Sequence, residues 1–460
     1  MAGQNNKNML LVAFLQASNC SNYTGSWRHP ETEPNFLDLG FYQNIATILG
    51  KGKFHLAFLD DRLAMPSRFG DTHEDAVEHG IRAVKLDLVP IITAMGLATS
   101  HLGLGATYST TYYSPFHVAR LFASIDHFTQ GRAAWNVVTS LNDSEAQNFG
   151  VSEHLPHDTR YNVADEFMSV VYSLWDSWED GAIVADKETG RFADSAKVHR
   201  VNHSGHYFRS QGAFTVPRTP QGRPLIIQAG QSDRGRRFAA RWGELLFVIY
   251  PTADGCKAYR QDLRRQREES GRDPDSLKVA PAVYVVVGET EEVAQEKLAF
   301  INSLANQTDS LVLLSEVFNY DFAQHSTNEP LSDETLASMT GLRGFLERVV
   351  ELSGTKNPSV ADFIRYSGRG TLSELPVFAG TPEQIVDQME SWYLSESCDG
   401  FVLAATHMPG AYVDFVQKVI PELQRRGLYR KEYVPGTLRD NLGLANPQYI
   451  ATSTVRQSFS

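Results

Sequence analysis

The sequence predicts an α/β protein built as a (β/α)8 TIM barrel with long loop insertions. Two observations carry this. Short apolar runs rich in Val, Ile, Leu and Phe recur along the chain without strict alternation, as strands buried on both faces require. A helical pattern follows each of them sooner or later, as in βα units. An open doubly wound sheet would use fewer strands, and no GxGxxG follows the first.

The strand candidates are Leu10–Leu15, Phe54–Leu59, Leu102–Tyr108, Ala133–Thr139, Leu225–Gln228, Leu245–Tyr250, Val279–Val287 and Phe401–Ala404. Among the helices, 115–129 opens on Ser114–Pro115, a good cap and first-turn pair, and stops at Gly131. Residues 158–178 place Val163, Phe167, Val170, Val171 and Leu174 at helical spacing, with Trp175 and Trp178 packing that helix on the barrel. Residues 381–392 begin with Thr381 as cap and Pro382 in the first turn, and the helix through 411–427 ends on two Arg and a Gly. Residues 1–436 therefore read as one barrel domain. Two stretches lack the barrel rhythm and read as insertions, 179–222 and 307–378, the second with helical pieces but no strand. After Gly436, residues 437–460 read as a polar tail along the surface.

The net charge of −12 is spread along the chain, which argues against nucleic acid as a partner. Cys20, Cys256 and Cys398 are odd in number and lack any CxxC, so they fit a reducing, cytoplasmic setting. The apolar run Met9–Leu15 is too short to span a membrane and poor as a signal peptide.

Barrel sites form at the C-terminal ends of the strands. Those ends deliver FLDD (58–61), ATYSTTYY (106–113), WNVVTS (135–140) and QAGQS (228–232), rich in amides, hydroxyls and small residues. Such a set suits a large polar heterocycle better than a hydrolytic dyad. In AGQSDRGRR, Ala229 and Gly230 let a ligand approach backbone and Ser232 caps a helix whose N-terminus attracts anions; an ordinary capped turn reads the same way. In HDTRY, His157 and Tyr161 lie four apart at a helix start with Arg160 between them, suited to a phosphate or simply to a surface cap. The run HRVNHSGH (His199, His203, His206) is too loop-like for a metal site, so no metal is expected, and His117 and His127 read as structural. GxSxG and P-loop motifs are absent.

WRHP (27–30), KGKFHLAFLDD (51–61), LGLGATYSTTYYSPFHVAR (102–120), DHFTQGRAAWNVVTS (126–140), NFG (148–150), HDTRYNVADEF (157–167), QAGQSDRGRRFAA (228–240) and the stretch 399–430 together resemble the bacterial-luciferase-like flavin monooxygenases. The branch they resemble contains nitrilotriacetate, dibenzothiophene-sulfone and long-chain alkane monooxygenases. The resemblance implies a two-component enzyme. Reduced FMN (FMNH2) comes from a separate NAD(P)H-dependent flavin reductase and reacts with O2 to a flavin C4a-(hydro)peroxide that oxygenates a small organic substrate. It implies FMN contacts at Asp61, Thr107, His157, Tyr161 and Ser232, with Asn136, Ala229 and Gly230 as further contacts and His157 as the candidate catalytic residue. It also implies a homo-oligomer, dimer or tetramer. Phe14, Asn19, Tyr23, Trp27, His29, Tyr112 and Tyr113 are expected to line the substrate pocket. Ser18 and Ser21 stand where the alkane-oxidising relative carries Cys and His, which points away from alkanes, while the aromatic and small polar lining with Tyr112 and Tyr113 suits a flat aromatic, a sulfone or a halogenated ring. The insertions are available as a lid against water. Two other readings fit the barrel: an F420-dependent hydride-transfer oxidoreductase, and a non-catalytic flavin-binding barrel.

Overall fold

The computed structural model describes residues 8–340, 343–367 and 375–450. Thirteen strands occur among them. In chain order they are β1 (Leu10–Gln16), β2 (Leu56–Asp60), β3 (Gly103–Ser109), β4 (Ala133–Val138), β5 (Ile183–Asp186), β6 (Arg191–Ala193), β7 (His203–Ser204) and β8 (Arg209–Ser210). There follow β9 (Leu225–Gln228), β10 (Leu245–Val248), β11 (Lys278–Val287), β12 (Val377–Gly380) and β13 (Gly400–Ala404). Eight of them pair in parallel around a closed ring, in the order β1, β2, β3, β4, β9, β10, β11, β13 and back to β1. All eight fall on the strand runs expected from the sequence.

The alternation inside each strand builds the barrel from within. Leu10 and Val12 of β1, Leu56 and Phe58 of β2, Ala134 of β4, Leu225 and Ile227 of β9 and Val402 of β13 fill one apolar cluster, the barrel interior. Their neighbours Leu11, Ala13, Leu15, Ala57, Leu59, Ala133, Trp135, Ile226 and Leu403 pack outward into the larger cluster shared with the helices. Gly105 of β3 makes room for this filling: a Cβ there would lie 2.7 Å from Cβ of Phe58.

Three features differ from the sequence expectation. First, β12 pairs with the upper half of β11 (Tyr284–Val287), so the stretch ending at 378 runs into a strand. Its four residues, VFAG, are too few to stand out in sequence. Second, the segment after Gly436 turns inward. A short helix, Leu438–Leu442, buries Leu438 and Leu442 in the barrel-interior cluster together with Leu444. Leu438 N donates to Gly131 O at 2.8 Å, and a Cβ on Gly103, the first residue of β3, would lie 2.6 Å from Leu438 Cδ1. Arg439, buried beside it, donates to both oxygens of Glu244 at 2.7 and 2.8 Å. The segment plugs the foot of the barrel; residues 451–460 lie outside the described residues.

Third, the two stretches expected to be insertions lie at opposite ends. Residues 179–222 leave the C-terminal end of a helix, His157–Trp175, and lead into β9, so both of their anchors lie at the foot. There Arg218 and Arg223 pair with the buried Asp176, and Arg218 reaches Pro447 O. The stretch forms two small hairpins, β5–β6 and β7–β8, and cannot close over the C-terminal mouth. The His-rich run belongs to these hairpins: Glu166 accepts from Tyr207 N and Phe208 N and lies 3.1 Å from His203 Nε2, while His199 lies 2.6 Å from Glu179.

The other insertion reaches the mouth. Glu316, buried in a helix spanning Gln307–Phe318, accepts from Ser67 N and Arg68 N of the loop after β2 and from Ser144 Oγ of the loop after β4. Asp309 of the same helix takes two hydrogen bonds from Arg28 of the loop after β1, at 2.6 and 3.0 Å. Three mouth loops are thus fastened to one helix. No described helix is long and apolar enough to cross a membrane.

Candidate functional site

Continuing the inward alternation to the C-terminal ends of the strands places Gln16, Asp60, Thr107 and Asn136 in one polar layer. Beneath it lie Phe14, Phe58 and Phe247, with Phe14 stacked on Phe58 at 4.8 Å and tilted against Phe247 at 5.0 Å. Phe14 and Phe247 are only half-buried, so this apolar floor faces an open mouth.

The layer is cross-linked. Lys85 Nζ donates to Asp60 Oδ1 at 2.5 Å and to Gln16 Oε1 at 2.6 Å, and Gln16 Nε2 donates to Asp60 Oδ2 at 2.9 Å. Thr107 Oγ1 donates to Leu59 O and accepts from Asn136 Nδ2 at 2.9 Å. Asn136 therefore bridges β4 to β3. Its Oδ1, however, is sealed from solvent with no hydrogen-bond partner among the described residues. An unpaired buried carbonyl oxygen costs about 1–3 kcal/mol. A ligand N–H above the layer would satisfy it. Gln16 and Lys85 belong to this layer, a place that sequence reading did not give them, and Asp60 rather than Asp61 is the residue that joins it.

Asp61 begins the loop after β2, where its Oδ1 accepts from Arg62 N at 2.9 Å. Burial raises its pKa to about 7, helped by the neighbouring Asp60 and opposed by Lys85. The folded chain thus holds this proton far more tightly than an ordinary aspartate at 3.8. The Asp61 contribution to stability is fully present below pH ~3.8, falls with a limiting slope of about 1.4 kcal/mol per pH unit, and is gone above pH ~7. Urea midpoints measured from pH 4.5 to 7.5 are expected to decline less steeply in Asp61→Asn than in the wild type; parallel curves would show that Asp61 titrates normally.

A second polar corner lies where two helices start. The helix His157–Trp175 has no side-chain cap, leaving its first N–H groups free. The helix Asp233–Trp242 is capped by Ser232, whose Oγ accepts from Gly235 N at 3.1 Å. His157 Nε2 lies 3.1 Å from the same Oγ. Tyr161 is buried, which raises its pKa, and its hydroxyl sits over Gly230 and Gly235: a Cβ on either glycine would lie 3.0 or 2.8 Å from it. Arg160 donates to Ser140 O, yet its Nε is sealed without a partner. Two helix N-termini, hydroxyls and a guanidinium around bare glycine backbone form an anion cradle. Ala229 flanks it at the end of β9. These residues, with the unpaired Asn136 Oδ1, would suit a phosphorylated flavin.

The expected substrate-pocket residues divide. Phe14 lies in the floor. Tyr112 stacks on Phe149 at 4.5 Å and approaches His154, and Tyr113 packs on Tyr108 and Phe149, forming an aromatic wall beside the cradle. Tyr23, Trp27 and Asn19 are spent on loop structure instead. Tyr23 donates to Ile301 O, the half-exposed Trp27 to His79 O, and Asn19 to Gly80 O. His29 stacks face to face on His407 at 3.8 Å, with Glu31 Oε2 3.3 Å from His407 Nε2. This is the one group among the described residues with three metal-type donors within 4.8 Å of one another. Nδ1 of His29 already accepts from Glu31 N, and parallel rings do not converge on one point, so the trio reads as a latch between the loops after β1 and β13.

A profile of the luciferase-like monooxygenases matches residues 69–396. The chain is 42% identical to a dibenzothiophene-sulfone monooxygenase of Rhodococcus erythropolis, over 96% of this chain and 98% of that one. It is 39% identical to nitrilotriacetate monooxygenase component A of Aminobacter aminovorans, with the same coverage. The crystal structure of a long-chain alkane monooxygenase superposes with a TM-score of 0.87 at 34% identity, covering 98% of this chain and 99% of that one. With the profile matched over most of the chain, a relative aligned along nearly its whole length and a crystal structure that superposes on it, the chain belongs to the luciferase-like monooxygenase family.

Proposed function

We propose that the protein is the oxygenating component of a two-component flavin monooxygenase. It takes reduced FMN from a separate NAD(P)H-dependent flavin reductase and uses O2 to oxygenate a small, flat aromatic substrate bearing sulfur or halogen. The observation that carries this reading is the pairing of the unsatisfied Asn136 Oδ1 with the anion cradle of His157, Tyr161 and Ser232 on one barrel face.

Reduced FMN supplies the reaction with oxygen; the chain supplies position and dryness. Tyr161, Ser232 and the two helix N-termini hold the phosphate. Thr107 fixes the Asn136 amide so that its oxygen accepts from the ring. His157, exposed at the edge of the cradle, is a phosphate-side residue in this arrangement and lies away from the floor where substrate would react. Phe14, Phe58 and Phe247 keep water from the interior side, and Tyr112 and Phe149 offer a stacking wall for a planar substrate. The three cysteines are free and buried, which suits a reducing cytoplasm. A homo-oligomer completes the proposal.

The test is reconstitution with a flavin reductase, NADH, FMN and O2 against dibenzothiophene sulfone and halogenated aromatics. Substrate-dependent product formation that requires both proteins is expected. Turnover with F420 and no need for O2 would instead establish the hydride-transfer reading. FMN binding without any turnover would favour a non-catalytic barrel.

A further inference from the structure

Four cations crowd the mouth on the side of β2. Two are paired: Lys85 with Asp60, and Arg68 with Asp143 at 3.2 Å. The other two are Arg62, in the loop after β2, and Arg82, which precedes Lys85. Neither guanidinium has a hydrogen-bond or ion-pair partner among the described residues. Nη1 of Arg62 and Nε of Arg82 are sealed from solvent without an acceptor. Burial, followed by repulsion from Arg82, draws the Arg62 pKa downward.

Asp60, Glu145 and Glu316 attract the Arg62 guanidinium and offset part of this, but none meets it in a hydrogen bond, because each is held elsewhere. Asp60 serves Lys85 and Gln16, Glu145 accepts from Leu63 N, and Glu316 accepts from Ser67 N, Arg68 N and Ser144 Oγ. Both arginines sit in fixed backbone. Arg62 N is held by Asp61, and the segment around Arg82 is pinned by Asn19, which donates to Gly80 O and accepts from Val84 N. A folded chain that keeps two guanidiniums half-buried, with N–H groups that no acceptor meets, carries a cost that an incoming oxyanion removes. Arginine forks match planar oxyanions in particular.

We propose that Arg62 and Arg82 form a substrate subsite that reads an oxyanion group (carboxylate, sulfinate or sulfonate) on the compound to be oxygenated. The subsite is separate from the phosphate cradle. β2 and β9 are three strands apart in a ring of eight, so the two anion sites lie on opposite sides of the mouth with the Asn136–Thr107 layer between them. A substrate held there carries its anionic end at the rim and its apolar part over Phe14 and Phe247. The proposal rests on the monooxygenase reading for the identity of the ligand as substrate, but the subsite itself can be tested without flavin.

Calorimetric titration of the full-length protein with biphenyl-2-carboxylate and with its neutral isostere biphenyl-2-carboxamide decides it. The carboxylate is expected to bind about tenfold tighter or more, a preference lost in Arg62→Gln and in Arg82→Gln and partly kept in the Lys variants. The Gln variants are expected to melt no lower than the wild type, since each removes an unpaired charge, and to bind FMN unchanged. Equal affinity for the two probes would overturn the proposal. So would a carboxylate preference that survives both substitutions, or weakened FMN binding in the variants, which would assign the pair to the flavin phosphate. Arginine-dependent binding of ring-free nitrilotriacetate in place of the biphenyl acid supports the subsite and overturns only the aromatic reading. Failure of the wild type to bind FMN would sink the flavin reading and leave the anion result standing.

Discussion

Ser232→Ala combined with Tyr161→Phe is expected to weaken FMN binding about 100-fold while leaving riboflavin binding within about twofold. Riboflavin has the same ring and lacks only the phosphate, so the comparison isolates the cradle. Two hydroxyls are lost from an anion that also meets His157 and two helix N-termini, and hydrogen bonds to charged groups are each worth about 1.5–3 kcal/mol. Ser232 also caps its helix, so the variant loses about 1 kcal/mol of stability, which titration well below the melting temperature tolerates. Flavin fluorescence titration provides both affinities. Equal weakening of FMN and riboflavin would move the phosphate elsewhere and leave the Gly230–Gly235 approach to Tyr161 as packing alone.

Asp309→Ala is expected to cost about 3–5 kcal/mol of stability, the usual penalty for stranding one partner of a buried ion pair. The Asp309 side chain is fully buried and that of Arg28 is 20% exposed, so the guanidinium left behind has little water to turn to. Asp309 also completes a capping box with Asn306, so its loss frays the helix that anchors the mouth loops. Replacing both partners, as Arg28→Met with Asp309→Ala, should recover part of the loss. Urea denaturation of the three proteins checks this. A single variant as stable as the wild type would show that the loop after β1 is held by other contacts, and the fastening of the mouth to this helix would lose its main support.

The barrel was legible in the sequence because burial on both faces forces short apolar runs without strict alternation, and β1–β4 and β9–β11 each show one. The capped helix starts at Ser114, Ser232 and Thr381 were legible for a similar reason: a side chain must replace the missing helical partner. What failed was long-range polar satisfaction. The foot plug reads as polar because Arg439 and Asp440 flank its leucines, and only the bidentate bond to Glu244, distant in sequence, makes Arg439 a buried residue. Gln16 was readable in principle, since it continues the inward period of Leu10, Val12 and Phe14. Lys85 was not, because its partner Asp60 lies across a loop. Asn19, Tyr23 and Trp27 were assigned to the pocket by nearness to β1, yet their polar atoms are taken by carbonyls of other loops. The foot position of 179–222 follows from element order alone, since a connection from a helix end to a strand start must lie at the N-terminal side of the barrel.

The measurement that tests the central claim most directly is rapid mixing of the protein loaded with FMNH2 against oxygenated buffer, followed by absorbance. The account predicts two phases: a first whose rate rises with O2 concentration, and a slower return to oxidised FMN that does not depend on O2 and changes when substrate is present. A single phase matching the oxidation of free FMNH2, unaltered by any substrate, would contradict it.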